Sequence, residues 1–243
     1  MYVNNETGAV NPINHIGEMC KECGILFHTD CVQAAGCHAI DTNLIGCDYA
    51  TISGHKIYAP KGIGAIYVRD KSMARSLIYG GSNQEFGLRG GTENVASIVG
   101  LGKACDIICS DFGAQRVTVS LFKRLFYENV ISGLKEYGID ERVHVNGASV
   151  GDVGKTLNLR IDDIDSETLL LMLDAKGVCI SAGSACHSHK SDPSRVLTSM
   201  GLSDDEARDS VRISFSSMNT PVEVEEAAEI FSACVKTLAG LQR

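Results

Sequence analysis

Apolar and polar positions alternate along the front of the chain in short, regular blocks. Asn11-Pro12 opens a helix with its proline where no amide donor is needed. Ile13, Ile16, Met19, Cys20 and Cys23 then recur at helical spacing, and Gly24 is a natural stop. Residues 25–29 read as a short apolar strand ending on Asp30, residues 49–52 as a second strand and residues 61–68 as a third. This alternation predicts an α/β architecture with a mainly parallel sheet. In such sheets ligands gather at the carboxyl ends of strands, where Asn5, Asp30 and Lys56 all fall.

A glycine-rich connection over residues 80–92 leads into helices over 93–109 and 114–134, with a domain boundary near Asp111-Phe112-Gly113. The domains expected are therefore 1–111 and 112–243. The second has an α+β pattern, with strands at Val143, 156–161, 178–181 and 211–215. Its helices run over 166–176, closed by Gly177, from the capping box Ser203-Asp204-Asp205-Glu206, and from Pro221 to the end.

Composition narrows the class. The chain has 243 residues, 44% hydrophobic and 21% charged, enough for a folded core in one large or two medium domains. A net charge of −8 with no basic run excludes a nucleic-acid surface as the main function. No membrane-length apolar span and no basic-then-apolar leader is present, so a soluble, unexported protein is expected. Ten irregularly spaced cysteines fit a reducing cytosol or organelle matrix better than a disulfide scaffold. Cys20-Lys21-Glu22-Cys23 has metal-like spacing without a second pair; both cysteines fall on the apolar face of the first helix, so core packing is expected and no zinc or iron–sulfur site.

The stretch richest in chemistry is Ser53-Gly54-His55-Lys56, at the exit of an apolar strand. A lysine amine there can form a Schiff base with a carbonyl cofactor, while Ser53 and His55 hold the cofactor's polar groups. Asp30 can pair with a protonated ring nitrogen, and Gln33 can donate to a ring oxygen. In the glycine-rich connection, Arg89 and Thr92 can hold an anion. Taken singly, each has a plainer reading: an exposed lysine after a strand, a turn aspartate, a flexible loop. Asp followed by Ser-x-His-Lys is the pattern expected of a pyridoxal phosphate site.

Taken together, the motifs resemble the class V aminotransferase family, in its cysteine desulfurase and selenocysteine lyase branch. The resemblance rests on Asn4-Asn5-Glu6-Thr7-Gly8, His28-Thr29-Asp30-Cys31-Val32-Gln33, Ser53-Gly54-His55-Lys56, Arg89-Gly90-Gly91-Thr92-Glu93-Asn94, Ser181-Ala182-Gly183-Ser184-Ala185-Cys186 and Val211-Arg212-Ile213-Ser214. It spans essentially the whole chain in the family's order. It implies a fold-type I enzyme dependent on pyridoxal 5'-phosphate, with the large cofactor domain represented by residues 1–111 and a small C-terminal domain by 112–243. It further implies that Lys56 is the Schiff-base lysine, that Asp30 partners the pyridine nitrogen, and that Gln33 contacts the ring hydroxyl. Ser53 and His55 would bind the phosphate, Thr92 would reach the phosphate of a neighbouring subunit in a homodimer, and Asn5 and Arg212 would hold the substrate carboxylate. Cys186 would be the nucleophile that takes sulfur from L-cysteine as a persulfide, releasing alanine, and the sulfur would be delivered to an acceptor protein in iron–sulfur cluster assembly or another thiolation pathway. His187 or His189 would favour its thiolate.

Two departures from the family pattern follow. The segment that precedes the Asn-Asn-Glu motif in family members is absent, which leaves a truncated product, a processed fragment, half of a split enzyme, or an inactive subunit acting as a scaffold as expectations. Ala185-Cys186-His187-Ser188 is closer to selenocysteine lyases, making L-selenocysteine the alternative substrate.

Overall fold

The computed structural model describes residues 1–182 and 193–241. The chain divides into two compact units, the first made of Met1–Val3 and Val10–Phe112 and the second of Asn4–Ala9 and everything from Gly113 onward. The short turn Asn4–Ala9 therefore belongs with a unit more than a hundred residues further along the chain.

In the first unit, α1 (Ile13–Glu22) begins after Pro12, which occupies the N-cap. Its inward face is set by a glycine. A Cβ on Gly17 would come within 1.8 Å of the Ile45 carbonyl oxygen, so only a bare backbone allows this approach. Ile13 and Gly17 are buried while Met19 is 52% exposed. Cys20 is half-buried and Cys23 exposed, so the expectation that both pack in the core fails for Cys23. The stripe runs through positions 13, 16, 17 and 20, and residues 19 and 23 lie on its flank.

β1 (His28–Asp30), α2 (Thr42–Ile45), β2 (Tyr49–Ser53) and β3 (Gly64–Val68) follow, and the sheet has the order β1-β2-β3. Asp41 caps α2, its carboxylate accepting from the Asn43 and Leu44 amides. β1 and β2 are parallel, with Asp30 opposite Thr51. β2 and β3 are antiparallel, so the three strands form a mixed sheet. The connection of residues 54–63 holds one 3₁₀ turn at Gly54–Ile57 and leaves no room for the helical crossover that parallel neighbours require. Beyond β1, the Tyr2 amide donates to the Asp30 carbonyl at 2.8 Å. One small core gathers Val3, Ile13, Cys31, Ala34, Ile45, Cys47 and Ala50. A second joins Ala35 and Ile57 to Ala104 and Ile108 of α3 (Val95–Ser110).

The second unit contains all but the first residue of α4 (Phe112–Lys135), then β4 (Val143–Val145), β5 (Thr156–Ile161), α5 (Ser166–Asp174), β6 (Ser181–Ala182), α6 (Arg195–Ser199), α7 (Asp204–Arg208), β7 (Ser210–Ser214) and α8 (Pro221–Leu241). Among the described residues its strands form an antiparallel sheet of order β4-β5-β7-β6. Strand alternation sorts the two faces. Leu157, Leu159, Ile161, Val211 and Ile213 enter one core with α4, α5 and α8. There Phe126 meets Phe215 and Phe231 edge-on, each with ring centroids 5.6 Å apart. Asn158 and Arg212, directly opposite one another, point to the other face. Of the strand expected over 178–181, residue 178 is taken by the end of α5, where its amide donates to the Leu173 carbonyl, and β6 begins only at Ser181. Gly177 makes that closure with φ +83. The capping box at Ser203 and Glu206 forms as the sequence predicts.

Candidate active site

Within the first unit, four of the predicted residues lie at the carboxyl ends of the parallel neighbours β1 and β2. Asp30 ends β1, and its carboxylate accepts from the Val32 amide at 2.8 Å, which fixes it at the start of the turn that carries Gln33. Ser53 ends β2, and its hydroxyl lies 2.9 Å from Nδ1 of His55. His55 and Lys56 sit in the 3₁₀ turn Gly54–Ile57. That turn is tightly built. A Cβ on Gly54 would lie 2.9 Å from the Ile63 side chain, and Ile57 is buried against α3. Tyr58 ends the turn with φ +66, a left-handed conformation unusual for a bulky residue. Lys56 is thus held between a close-packed glycine and a buried isoleucine, half-buried itself, with Ser53 and His55 beside it.

These groups suit pyridoxal phosphate by their chemistry: an amine for a carbonyl, a carboxylate to accept from a pyridinium N–H, and a hydroxyl with an imidazole for phosphate oxygens. Thr92 stands apart, exposed in the segment before α3. Arg89 is exposed and donates to the Gly90 carbonyl at 2.7 Å.

The second unit brings Asn5 and Arg212 together, 207 residues apart in sequence. The Arg212 guanidinium donates to the Asn5 carbonyl at 3.2 Å and, across the β6–β7 pair, to the Ser181 hydroxyl at 3.2 Å. The Asn4–Ala9 turn is wound around the Asn4 side chain, whose Oδ1 accepts from the Glu6 and Thr7 amides at 2.9 and 3.0 Å. The turn is then fixed from outside. Asn158 donates to the Glu6 carbonyl at 3.2 Å, Ala148 donates to the Thr7 carbonyl at 3.2 Å, and the Ser194 hydroxyl donates to the Glu6 carboxylate. Asn146 in turn donates to Asn158 at 2.8 Å and to Ser210 at 3.0 Å.

Sequence reasoning missed Glu6, Asn146, Asn158, Ser181 and Ser194 as parts of this framework. The alternation of β5 and β7 carried a usable signal, since it leaves Asn158 and Arg212 on the polar face. Cys186, His187 and His189 lie outside the described residues. Among the described cysteines, burial pushes the thiols of Cys31, Cys47 and Cys234 up, away from the reactive thiolate form.

Residues 1–226 match the family model described as Aminotransferase class-V. A cysteine desulfurase IscS of Methanosarcina thermophila is 38% identical over 241 residues, covering 99% of this chain and 58% of that protein. A cysteine desulfurase of Nostoc sp. is 39% identical, with the same two coverages. Among solved structures, a NifS-like protein from Rickettsia africae superposes with a TM-score of 0.81 at 31% identity, over 98% of this chain and 60% of that one. SspA in complex with cysteine gives 0.65 at 35% identity, over 90% of this chain and 58% of that one. The chain thus spans less than two thirds of the relatives it matches.

Proposed function

Because the chain belongs to the class-V aminotransferase family, we propose that it acts as, or within, a pyridoxal-phosphate-dependent cysteine desulfurase. What carries this reading is the group Asp30, Ser53, His55 and Lys56 at the carboxyl edge of two parallel strands. The relatives named cysteine desulfurase support the substrate class.

When bound, pyridoxal phosphate supplies an electron sink conjugated to the substrate's amine. The Lys56 amine anchors the cofactor carbonyl, Asp30 holds a proton on the ring nitrogen, and Gln33 orients the ring oxygen. Ser53 and His55 donate to the phosphate, with Thr92 of a second copy completing that site in a homodimer. Arg212 and Asn5 grip the L-cysteine carboxylate, for which the planar guanidinium fork is suited. The Cys186 thiolate takes the substrate sulfur. L-Cysteine becomes L-alanine, Cys186 becomes a persulfide, and no external oxidant or reductant is consumed. The persulfide then passes to an acceptor protein in a reducing compartment, the cytosol or an organelle matrix.

The test is the visible absorption of the purified chain with pyridoxal phosphate, before and after L-cysteine, with alanine measured in parallel. A band that responds to L-cysteine is expected. Lys56→Ala should abolish the band, whereas Cys186→Ser should keep it and form little alanine. Full turnover in Cys186→Ser would remove that residue from the reaction.

A further inference from the structure

We propose that Glu6 is a positioning residue for the carboxylate clamp, acting through the Asn5 carbonyl on Arg212. This rests on the reading of Arg212 as the group that binds the substrate carboxylate. Glu6 is only 6% exposed, yet it is a carboxylate, and burying one is costly unless it is hydrogen-bonded. It is bonded from both ends. Its side chain accepts from the Ser194 hydroxyl, and its carbonyl accepts from Asn158, the cross-strand neighbour of Arg212. The carbonyl that Arg212 uses belongs to the residue just before it.

Displacement of the Glu6 backbone therefore moves the Asn5 carbonyl, and with it an oxygen that orients the plane of the guanidinium. The Ser181 hydroxyl is another. Ser194 is also the N-cap of α6, accepting from the Leu197 amide at 3.3 Å, so the Glu6 bond ties the clamp turn to a fixed helix end. Gly147 closes the other side. A Cβ there would meet the Thr7 Cβ at 2.4 Å, leaving the turn no slack to absorb the loss of Ser194. A bidentate contact depends on the orientation of the fork, so misorientation weakens recognition of a carboxylate specifically.

The test compares two ligands that differ only in the carboxylate, L-alanine and ethylamine, titrated into the purified full chain. The readout is the NMR shift of the Arg212 side-chain N–H groups. The wild-type chain should respond to L-alanine and not to ethylamine. Glu6→Ala and Ser194→Ala should each raise the half-saturating L-alanine concentration about tenfold, the loss expected of one oriented hydrogen bond. Glu6→Gln keeps an acceptor for Ser194 and should stay within about threefold of wild type. Circular dichroism of each variant identifies any that fails to fold, and Ser194→Ala carries the test if Glu6→Ala does. A wild-type response that is unchanged in both alanine variants overturns the positioning role and leaves the clamp intact. No response of Arg212 to L-alanine in the wild-type chain overturns the clamp, and the positioning role with it.

Discussion

The two units spend similar apolar sequence in different ways. From Gly113 onward, α4, α5, α8 and the antiparallel sheet bury one continuous core, with Phe126, Val130, Leu134, Leu159, Leu169 and Phe231 almost wholly inaccessible. The first unit has two small clusters and leaves Leu77, Tyr79 and Phe86 exposed at 92, 87 and 76%. The candidate chemistry divides along the same line. In the first unit the cofactor candidates hang on strand ends and a 3₁₀ turn. In the second, the proposed carboxylate clamp is built on the polar face of a sheet whose opposite face is the core. An aromatic core one layer below can therefore hold Arg212 and Asn158 in register, whereas the Lys56 turn depends on Gly54, Ile57 and α3.

The largest expected effect breaks the better-built unit. Phe126→Ala should cost about 3–5 kcal/mol of stability, because it removes both edge-on aromatic contacts and leaves a cavity; chemical denaturation monitored by circular dichroism would measure it. Gly17→Ala in the first unit should cost about 1–3 kcal/mol or more, since its Cβ would collide with the Ile45 carbonyl and no side chain there can turn away. A loss confined to one calorimetric transition in each variant would show that the units unfold separately, and a single shared transition would show that they do not.

A smaller effect is a pH dependence in the second unit. Burial, together with Asp163, Asp165 and Asp162, raises the Asp209 carboxyl, opposed by the hydrogen bond from the Asp163 amide. Above the ordinary carboxylate value, the folded state then holds a proton that the unfolded state has released. Asp209 thus contributes stability at low pH that is lost as pH rises through its folded value. Glu206 acts in the opposite sense, because the Ser203 amide and hydroxyl lower its carboxyl. Stability curves against pH for wild type and Asp209→Asn should run together in acid and separate as pH rises through the carboxylate range, with the loss shallower in the variant. The smallest effect is at the exposed surface: Leu77→Ser should change stability by no more than about 0.5 kcal/mol in the same denaturation experiment.

Much of this was legible in the sequence where one local rule decided the outcome. β5 and α8 follow from periodicity, the start of α7 from its capping box, and the Lys56 turn from the Ser-Gly-His-Lys exit of an apolar strand. Other features depended on contacts between distant residues. That Gly17 rather than Cys23 faces inward is set by the Ile45 carbonyl, and the antiparallel β3 by the length of its connection. The transfer of Asn4–Ala9 to the second unit is held by Asn158, Ala148 and Ser194. No local periodicity encodes a partner so far away. Motif resemblance supplied Asn5 and Arg212, but the bond between them and the part played by Glu6 emerge only from the three-dimensional arrangement.

The most direct test of the central claim is borohydride reduction of the chain after incubation with pyridoxal phosphate, followed by peptide mapping. The account predicts a stoichiometric pyridoxyl adduct on Lys56. An unmodified Lys56, with label spread over exposed lysines such as Lys61 and Lys71, would contradict it.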